Sequence, residues 1–167
     1  NKGKILWKKQ LQGSVLGTIE QIDIYKNGRL QLAFATPNRV YVIDRNGNDV
    51  GAFPLKFKDD ITQPLSVFDY DNNKNYRLLV TQKNSLLMYT ARGKTVNGFN
   101  YQKSAEIKSQ PKHFRLKNKD YIVFAAGNTL KILNRQGQNR IQVKESIAFS
   151  NNSIFLYKDV FTTTSRT

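Results

Sequence analysis

The chain carries one short sequence pattern three times. Residues 39–47, 85–93 and 129–137 each contain an apolar stretch that follows an asparagine and ends at a glycine. The closing glycines, Gly47, Gly93 and Gly137, are 46 and then 44 residues apart. A period of this length, made of short strands, is typical of the blades of a β-propeller. The pattern therefore predicts a repeat protein built from small antiparallel sheets.

The middle repeat shows how the strands of one unit follow each other. Apolar stretches at residues 64–70, 76–81 and 85–90 are separated by polar turn residues, and a fourth strand is expected from residue 94 to about 101. Asn, Asp, Lys and Gly fill the connections, as tight turns require. No stretch has the apolar spacing of a helix. Four antiparallel strands are therefore predicted for each repeat.

Three full repeats and one split repeat account for the whole length. The full repeats cover residues of roughly 10–57, 58–101 and 102–145. Residues 4–8 follow Gly3 as a fourth strand follows Gly47, whereas residues 146–167 supply a first, second and third strand. We expect residues 1–9 and 146–167 to share one sheet, because pairing the two ends removes exposed strand edges.

The predicted fold is therefore an all-β, propeller-type array of four-stranded antiparallel blades, three of them full and one split between the termini. It could be a closed ring of four blades, or part of a larger propeller completed by further sequence or by another copy of the chain. A β-barrel or a β-sandwich is the alternative architecture.

Composition narrows the possible chemistry. The 167 residues are 39% hydrophobic and include no cysteine, which excludes disulfides and cysteine-ligated metal centres. No apolar run has the length that a membrane helix needs, so no transmembrane segment is predicted. Because the sequence begins with Asn1 rather than Met, we expect a processed chain or part of a longer one.

The charge favours acidic partners. The net charge is +15, and residues 100–145 hold 10 basic side chains against 3 acidic ones. Basic residues interleaved with aromatic ones can bind nucleic acid, but strand alternation places Phe114 in the core, so nucleic acid is not the preferred partner. The candidate contacts to an anionic partner are Lys103, Lys108, Lys112, Arg115, Lys117 and Lys119.

Few residues suggest catalysis or metal binding. His113 is the single histidine, and no nucleophile motif accompanies it. Asp69, Asp71 and Asn73 alternate as calcium ligands do, but the later bidentate acid is missing, so a hairpin turn is preferred and no metal is predicted. The acidic pair at residues 59–60 is expected to be ionised and solvated. We predict neither an enzyme nor a cofactor.

Residues 3–8, together with residues 39–44 and Gly47, resemble the repeats of PQQ-like β-propellers, in which a tryptophan docks between blades. The loop from Asp69 to Asp71 is similar to loops of FG-GAP and WD40-like propellers. Trp7 is the one tryptophan, and Phe53 and Phe99 are expected to fill the corresponding gaps. The resemblance implies the propeller fold and no quinone.

The predicted function is a non-enzymatic binding or scaffold module for protein–protein or interdomain contacts. Binding of an anionic polymer, either nucleic acid or an acidic glycan, through the basic residues is the alternative. The resemblance to envelope scaffolds favours the bacterial cell envelope or periplasm over the cytoplasm.

Overall fold

A computed structural model describes residues 3–165, and this part of the chain consists of β-strands, turns and loops without a helix. It therefore holds no helix that could cross a membrane. Residues 1, 2, 166 and 167, which belong to the predicted split repeat, lie outside the described residues. The strands are β1 (Leu16–Ile22), β2 (Gln31–Thr36), β3 (Arg39–Ile43), β4 (Leu55–Lys56), β5 (Ser66–Phe68), β6 (Arg77–Gln82), β7 (Ser85–Thr90), β8 (Lys112–Leu116), β9 (Lys119–Ala126), β10 (Thr129–Leu133), β11 (Asn139–Ile141), β12 (Phe155–Tyr157) and β13 (Val160–Thr162).

The strands pair with their neighbours in sequence, and all pairs are antiparallel. The first sheet has the order β1-β2-β3-β4, the second β5-β6-β7 and the third β8-β9-β10-β11, and β12 and β13 form a separate hairpin. Between residues 3 and 165 no sheet closes into a barrel, so the barrel alternative is wrong. The fold is all-β, with several small antiparallel sheets.

Hydrogen bonds from the backbone to one polar side chain explain why the repeated segment ends in a turn. Asp44, Thr90 and Asn134 each accept hydrogen bonds from the backbone N–H groups two and four residues further on. Such side-chain bonds are the mechanism by which Asp, Asn and Thr favour turns. The closing residues adopt the left-handed backbone region that glycine tolerates, with φ of 84° at Gly47, 79° at Gly93 and 82° at Gly137.

The sheets pack face to face in sequence order. The first and second sheets share an apolar cluster, as do the second and third, and the third sheet packs against the hairpin. Each sheet alone is too small to bury its own faces, so stacking supplies the core. Fully buried residues at the three joints include Val42 and Leu78, then Leu79 and Phe124, and finally Val123 and Ile154.

The fourth strands differ from the sequence prediction. β4 has two residues and β11 three, and the second sheet has three strands, with a single bridge between Tyr89 and Thr95 where the fourth was expected. In the second sheet, the backbone after Thr95 leaves the edge of β7 and contacts the next sheet. Phe53 and Phe99 are the side chains that such departures carry onto the neighbouring repeat.

The predicted sheet that joins the two ends is not found among residues 3–165. Residues 4–8 form no strand, and the hairpin contains two strands rather than three, with one bridge between Phe149 and Ser165. Trp7 lies instead on the first sheet, where its Nε1 donates a hydrogen bond to the Arg45 carbonyl at 2.7 Å. Lys9 adds an ion pair to Asp49 at 3.1 Å.

Candidate functional site

An aromatic side chain from the preceding segment lies on each of the three glycine turns. A methyl group on Gly47 would be 2.8 Å from the Trp7 ring, and one on Gly137 would be 3.1 Å from Phe99. A methyl group on Gly93 would be 3.8 Å from the Phe53 ring and nearer to Ala52 and Leu55, at 3.1 and 3.2 Å. Phe53 and Phe99 thus lie near the glycine turn of the following repeat. Trp7 has the same place before the first sheet that these phenylalanines have before the second and third.

Residues 4–8, the N-terminal segment, consequently lie against the first sheet as the segments after β3 and β7 lie against the second and third sheets. No preceding sheet accompanies them among residues 3–165. Its apolar side chains are open to solvent, since Ile5 is 66% and Leu6 83% exposed. Next to it, Leu11 and Val15 pack on the outer face of the first sheet, against Phe34. At this end of the stack, Leu11 and Val15 thus cover the first sheet, whereas the apolar side chains of residues 4–8 are exposed to solvent.

The hairpin forms the other end of the stack, and its two faces are unlike. Ile154 is buried against the third sheet, and Phe161 contacts the rings of Phe114 and Tyr121. On the opposite side, Tyr157 and Val160 are direct cross-strand partners and are 58% and 61% exposed. Phe155, on the same face as Tyr157 by strand alternation, is 45% exposed. We call this surface (Phe155, Tyr157, Val160) the open face.

An isoleucine in each inter-repeat linker bonds the two repeats that it joins. The N–H groups of Ile61, Ile107 and Ile147 donate to carbonyls in the β2–β3, β6–β7 and β9–β10 turns, respectively. Ile61 and Ile107 are buried at 3% and 1% exposure. These residues were not predicted from the sequence, although one isoleucine recurs in each linker.

A charged cluster connects the second sheet to the third. Asp120, on β9, is nearly buried and accepts hydrogen bonds from His113 at 2.8 Å and from Arg135 Nε at 2.6 Å. Arg135 also bonds to Asp71, and its guanidinium lies 4.7 Å from the centre of the Tyr70 ring. His113 and Asp71 were singled out from the sequence, whereas Asp120 and Arg135 were not. Asp120 and Arg135 come together within the third sheet, and Asp71 reaches them from the second repeat, 64 residues before Arg135.

Hydrogen bonds and burial set the charges in this cluster. Burial acts to raise the pKa of Asp120, but the bonds from His113 and Arg135 outweigh it and hold that pKa below its ordinary value. The Arg135 guanidinium lowers the pKa of Asp71. Burial raises the pKa of Tyr70, whose buried hydroxyl has no partner among the described residues. The cluster is thus an ion-pair network that fixes two sheets together.

The first strands of the sheets line one shared cavity of about 490 Å³. Its walls include Glu20 of β1, Phe68 of β5 and Lys112 and His113 of β8, together with Ser153 just before the hairpin. The first strands of three consecutive sheets therefore border a common space, together with the segment before the hairpin.

The six candidate contacts to an anionic partner do not form one surface. Arg115 bonds to Asp71 and Asp120, and Lys108 pairs with Glu106, so both charges are compensated. Lys112 faces the first-strand cavity, whereas Lys103 lines a different cavity beside the linker before β8. Lys117 and Lys119 are exposed at the β8–β9 turn.

The calcium candidates are occupied with other contacts. The Asp69 carboxylate accepts hydrogen bonds from the N–H groups of Asn73 and Lys74, and the Asn73 side chain accepts one from Asn75. Asp71 bonds to two arginines. No group of three or more His, Asp or Glu side chains suited to a metal exists in the described part of the chain. The preferred interpretation, a turn held by Asp and Asn, agrees with these bonds.

Comparison with known protein families, with curated proteins and with solved structures yields no match.

Proposed function

We propose that this chain is a non-enzymatic binding module, a propeller-type scaffold that holds a protein partner or a further domain against the open face of its C-terminal hairpin. The observation that carries the proposal is the pairing of one buried and one exposed apolar face on the same small hairpin. A two-stranded hairpin is marginal by itself, and exposed apolar patches mark sites of protein contact.

Continuity with the joints inside the chain supports this function. At each internal joint, a sheet covers the apolar face of the sheet before it. The open face is likewise apolar, and it presents Phe155, Tyr157 and Val160 to a partner that would pack on it. Tyr and Phe at the centre of such a surface are residues that interfaces favour. The shared first-strand cavity supports a propeller-type arrangement of the sheets.

Binding of an anionic polymer has less support from the geometry. Two of the six basic residues already have carboxylate partners, Lys103 and Lys112 line different cavities, and Lys117 and Lys119 share the β8–β9 turn. A polymer backbone would need several unpaired cations along one track.

Site-specific photo-crosslinking in the cells that make the protein tests the proposal. Tyr157 is replaced by a benzoylphenylalanine, and Tyr25, which is 61% exposed on a turn of the first repeat, is replaced in the control. We expect a discrete protein adduct from position 157 that Phe155→Ser and Val160→Ser reduce. Equal adducts from both positions, or none from position 157, would overturn the proposal.

A further inference from the structure

We propose that the partner at the open face is a second copy of this chain, bound head to tail so that residues 4–8 of one copy add to the free edge of β13 in the other. This inference rests on the proposed function and names its partner. It starts from the fact that the two ends of the stack lack complementary parts.

The first missing part is a fourth strand at the hairpin. In the first sheet, β4 pairs with β3 through Val40 and Leu55, and in the third sheet β11 pairs with β10 through Ile132 and Ile141. β13 is the counterpart of β3 and β10, and β12 is its one strand partner among residues 3–165. Its other edge, along Val160–Thr162, has no strand partner between residues 3 and 165 and can accept one.

The second missing part is a sheet for residues 4–8. The Trp7 ring lies against the Gly47 turn as Phe99 lies against the Gly137 turn, and Phe53 lies at a longer distance from the Gly93 turn. Each phenylalanine belongs to the segment that leaves a third strand and crosses to the next sheet. Trp7 makes the same crossing contact with the first sheet, but no third strand lies beside residues 4–8 in this part of the chain.

A head-to-tail contact supplies both parts at once. Residues 4–8 of one copy would pair with β13 of the other, while Trp7 stays on its own Gly47 turn. The first sheet of that copy would then cover the open face, and Ile5 and Leu6 would lose their exposure. The joint between copies would follow the plan of the joints inside the chain, which is why a second copy fits better than an unrelated surface. Because the two surfaces differ, the contact is heterologous.

Charge predicts how the association responds to salt. Two copies with a net charge of +15 repel each other, and salt screens that repulsion. Association through apolar surface and strand pairing should therefore strengthen as salt increases. Binding to a nucleic acid would weaken instead.

Sedimentation of mixed end variants tests the inference. One variant carries Ile5→Asp and Leu6→Asp, the other Tyr157→Asp and Val160→Asp, and the control carries Tyr25→Asp and Leu30→Asp. All lower the net charge equally. We expect the unaltered chain and the control to associate with concentration, each end variant to stay at the 19.2 kDa of one chain, and an equimolar mixture to form a species of twice that mass. The mixture keeps one intact copy of each surface, so exactly one joint can form.

Trp7 provides a second measurement, because it is the single tryptophan. Its emission should shift to shorter wavelength when the end variants are mixed. If the unaltered chain stays monomeric at high concentration and high salt, or if the mixture does not dimerise while both variants retain their β-sheet circular dichroism, the inference is wrong. In that case a Tyr157 adduct with a different protein would leave the proposed function standing, and no adduct would remove both.

Discussion

Substitution of Gly137 by alanine tests the contact that joins the second repeat to the third sheet. The backbone φ at this position is 82°, where an alanine costs about 1–2 kcal/mol. Its methyl group would lie 3.1 Å from the backbone carbon and oxygen of Asn100 and from the Phe99 ring. Asn100 cannot move freely because its N–H donates to the Gln136 carbonyl at 2.8 Å. Overpacking of this kind costs about 1–3 kcal/mol more.

The expected loss for Gly137→Ala is therefore about 2–5 kcal/mol in the free energy of unfolding. Gly28→Ala is the matched control, since Gly28 has φ of 76° and no atom within 4 Å of the added methyl. It should lose only the conformational part, about 1–2 kcal/mol. Urea unfolding followed by far-UV circular dichroism measures both. If Gly137→Ala loses no more than Gly28→Ala, the turn is not a packing site and the reasoning fails.

A double-mutant cycle isolates the aromatic contact. Phe99→Ala removes the ring and leaves the Asn100 backbone in place, so the methyl at position 137 would meet fewer atoms. The penalty of Gly137→Ala should then fall by about 0.5–1.5 kcal/mol, a normal coupling between residues in contact. Additive losses would show that Phe99 does not take part.

Three further predictions concern the joint between the second and third sheets. Asp120→Ala should lose about 1–3 kcal/mol because it removes the buried acceptor of the hydrogen bonds from His113 and Arg135, whereas Asp71→Asn, at an exposed position, should lose about 0–1 kcal/mol in the same urea assay. Ser66→Ala should lose about 1–3 kcal/mol because the buried Ser66 hydroxyl donates to the Pro111 carbonyl at 2.6 Å, leaving that acceptor unpaired. The urea concentration at half unfolding should decrease as the pH is lowered from about 6 to about 3. The pKa of Asp120 is lower in the folded chain than in the unfolded chain, where it is about 3.9. Its stabilisation is therefore present above about pH 3.9 and is lost as the pH falls through the pKa of the folded chain.

Each of these has an outcome that contradicts it. Equal losses for the two aspartate variants would mean that burial does not distinguish Asp120 from Asp71. A Ser66→Ala variant as stable as the unaltered chain would show that the Pro111 carbonyl finds another donor. If Asp120→Asn leaves the acid dependence unchanged, other carboxylates cause it.

Local rules predicted the strands and turns well. The glycine turns follow from an Asp, Thr or Asn three residues before a glycine, and this chemistry acts over a few residues. The apolar second strands, such as β6 and β9, are covered on both sides, as their nearly continuous apolar residues indicated. The all-β class and the antiparallel sheets could therefore be predicted from the sequence.

Contacts over long sequence distances were not predictable in the same way. Asp71 and Arg135 are 64 residues apart, and nothing in either segment marks the other as its partner. In the first two sheets, the fourth-strand segments pair over few residues and place Phe53 and Phe99 on the next repeat. Periodicity cannot weigh this competition between strand pairing and stacking. The same competition explains why residues 4–8, predicted as a strand, lie on the first sheet through Trp7.

The joints of the stack are unequal, and this links the fold to the proposed binding. The second joint combines a large apolar cluster, the Asp120 network and a linker isoleucine that is fully buried. The hairpin, by contrast, has two three-residue strands and keeps one face in water. Regions with few buried contacts open at the lowest free energy, so local opening should begin at the hairpin. A partner that binds only the closed hairpin stabilises it by mass action. The hairpin, which is the least stable part of the stack by itself, is therefore the part that binding should order.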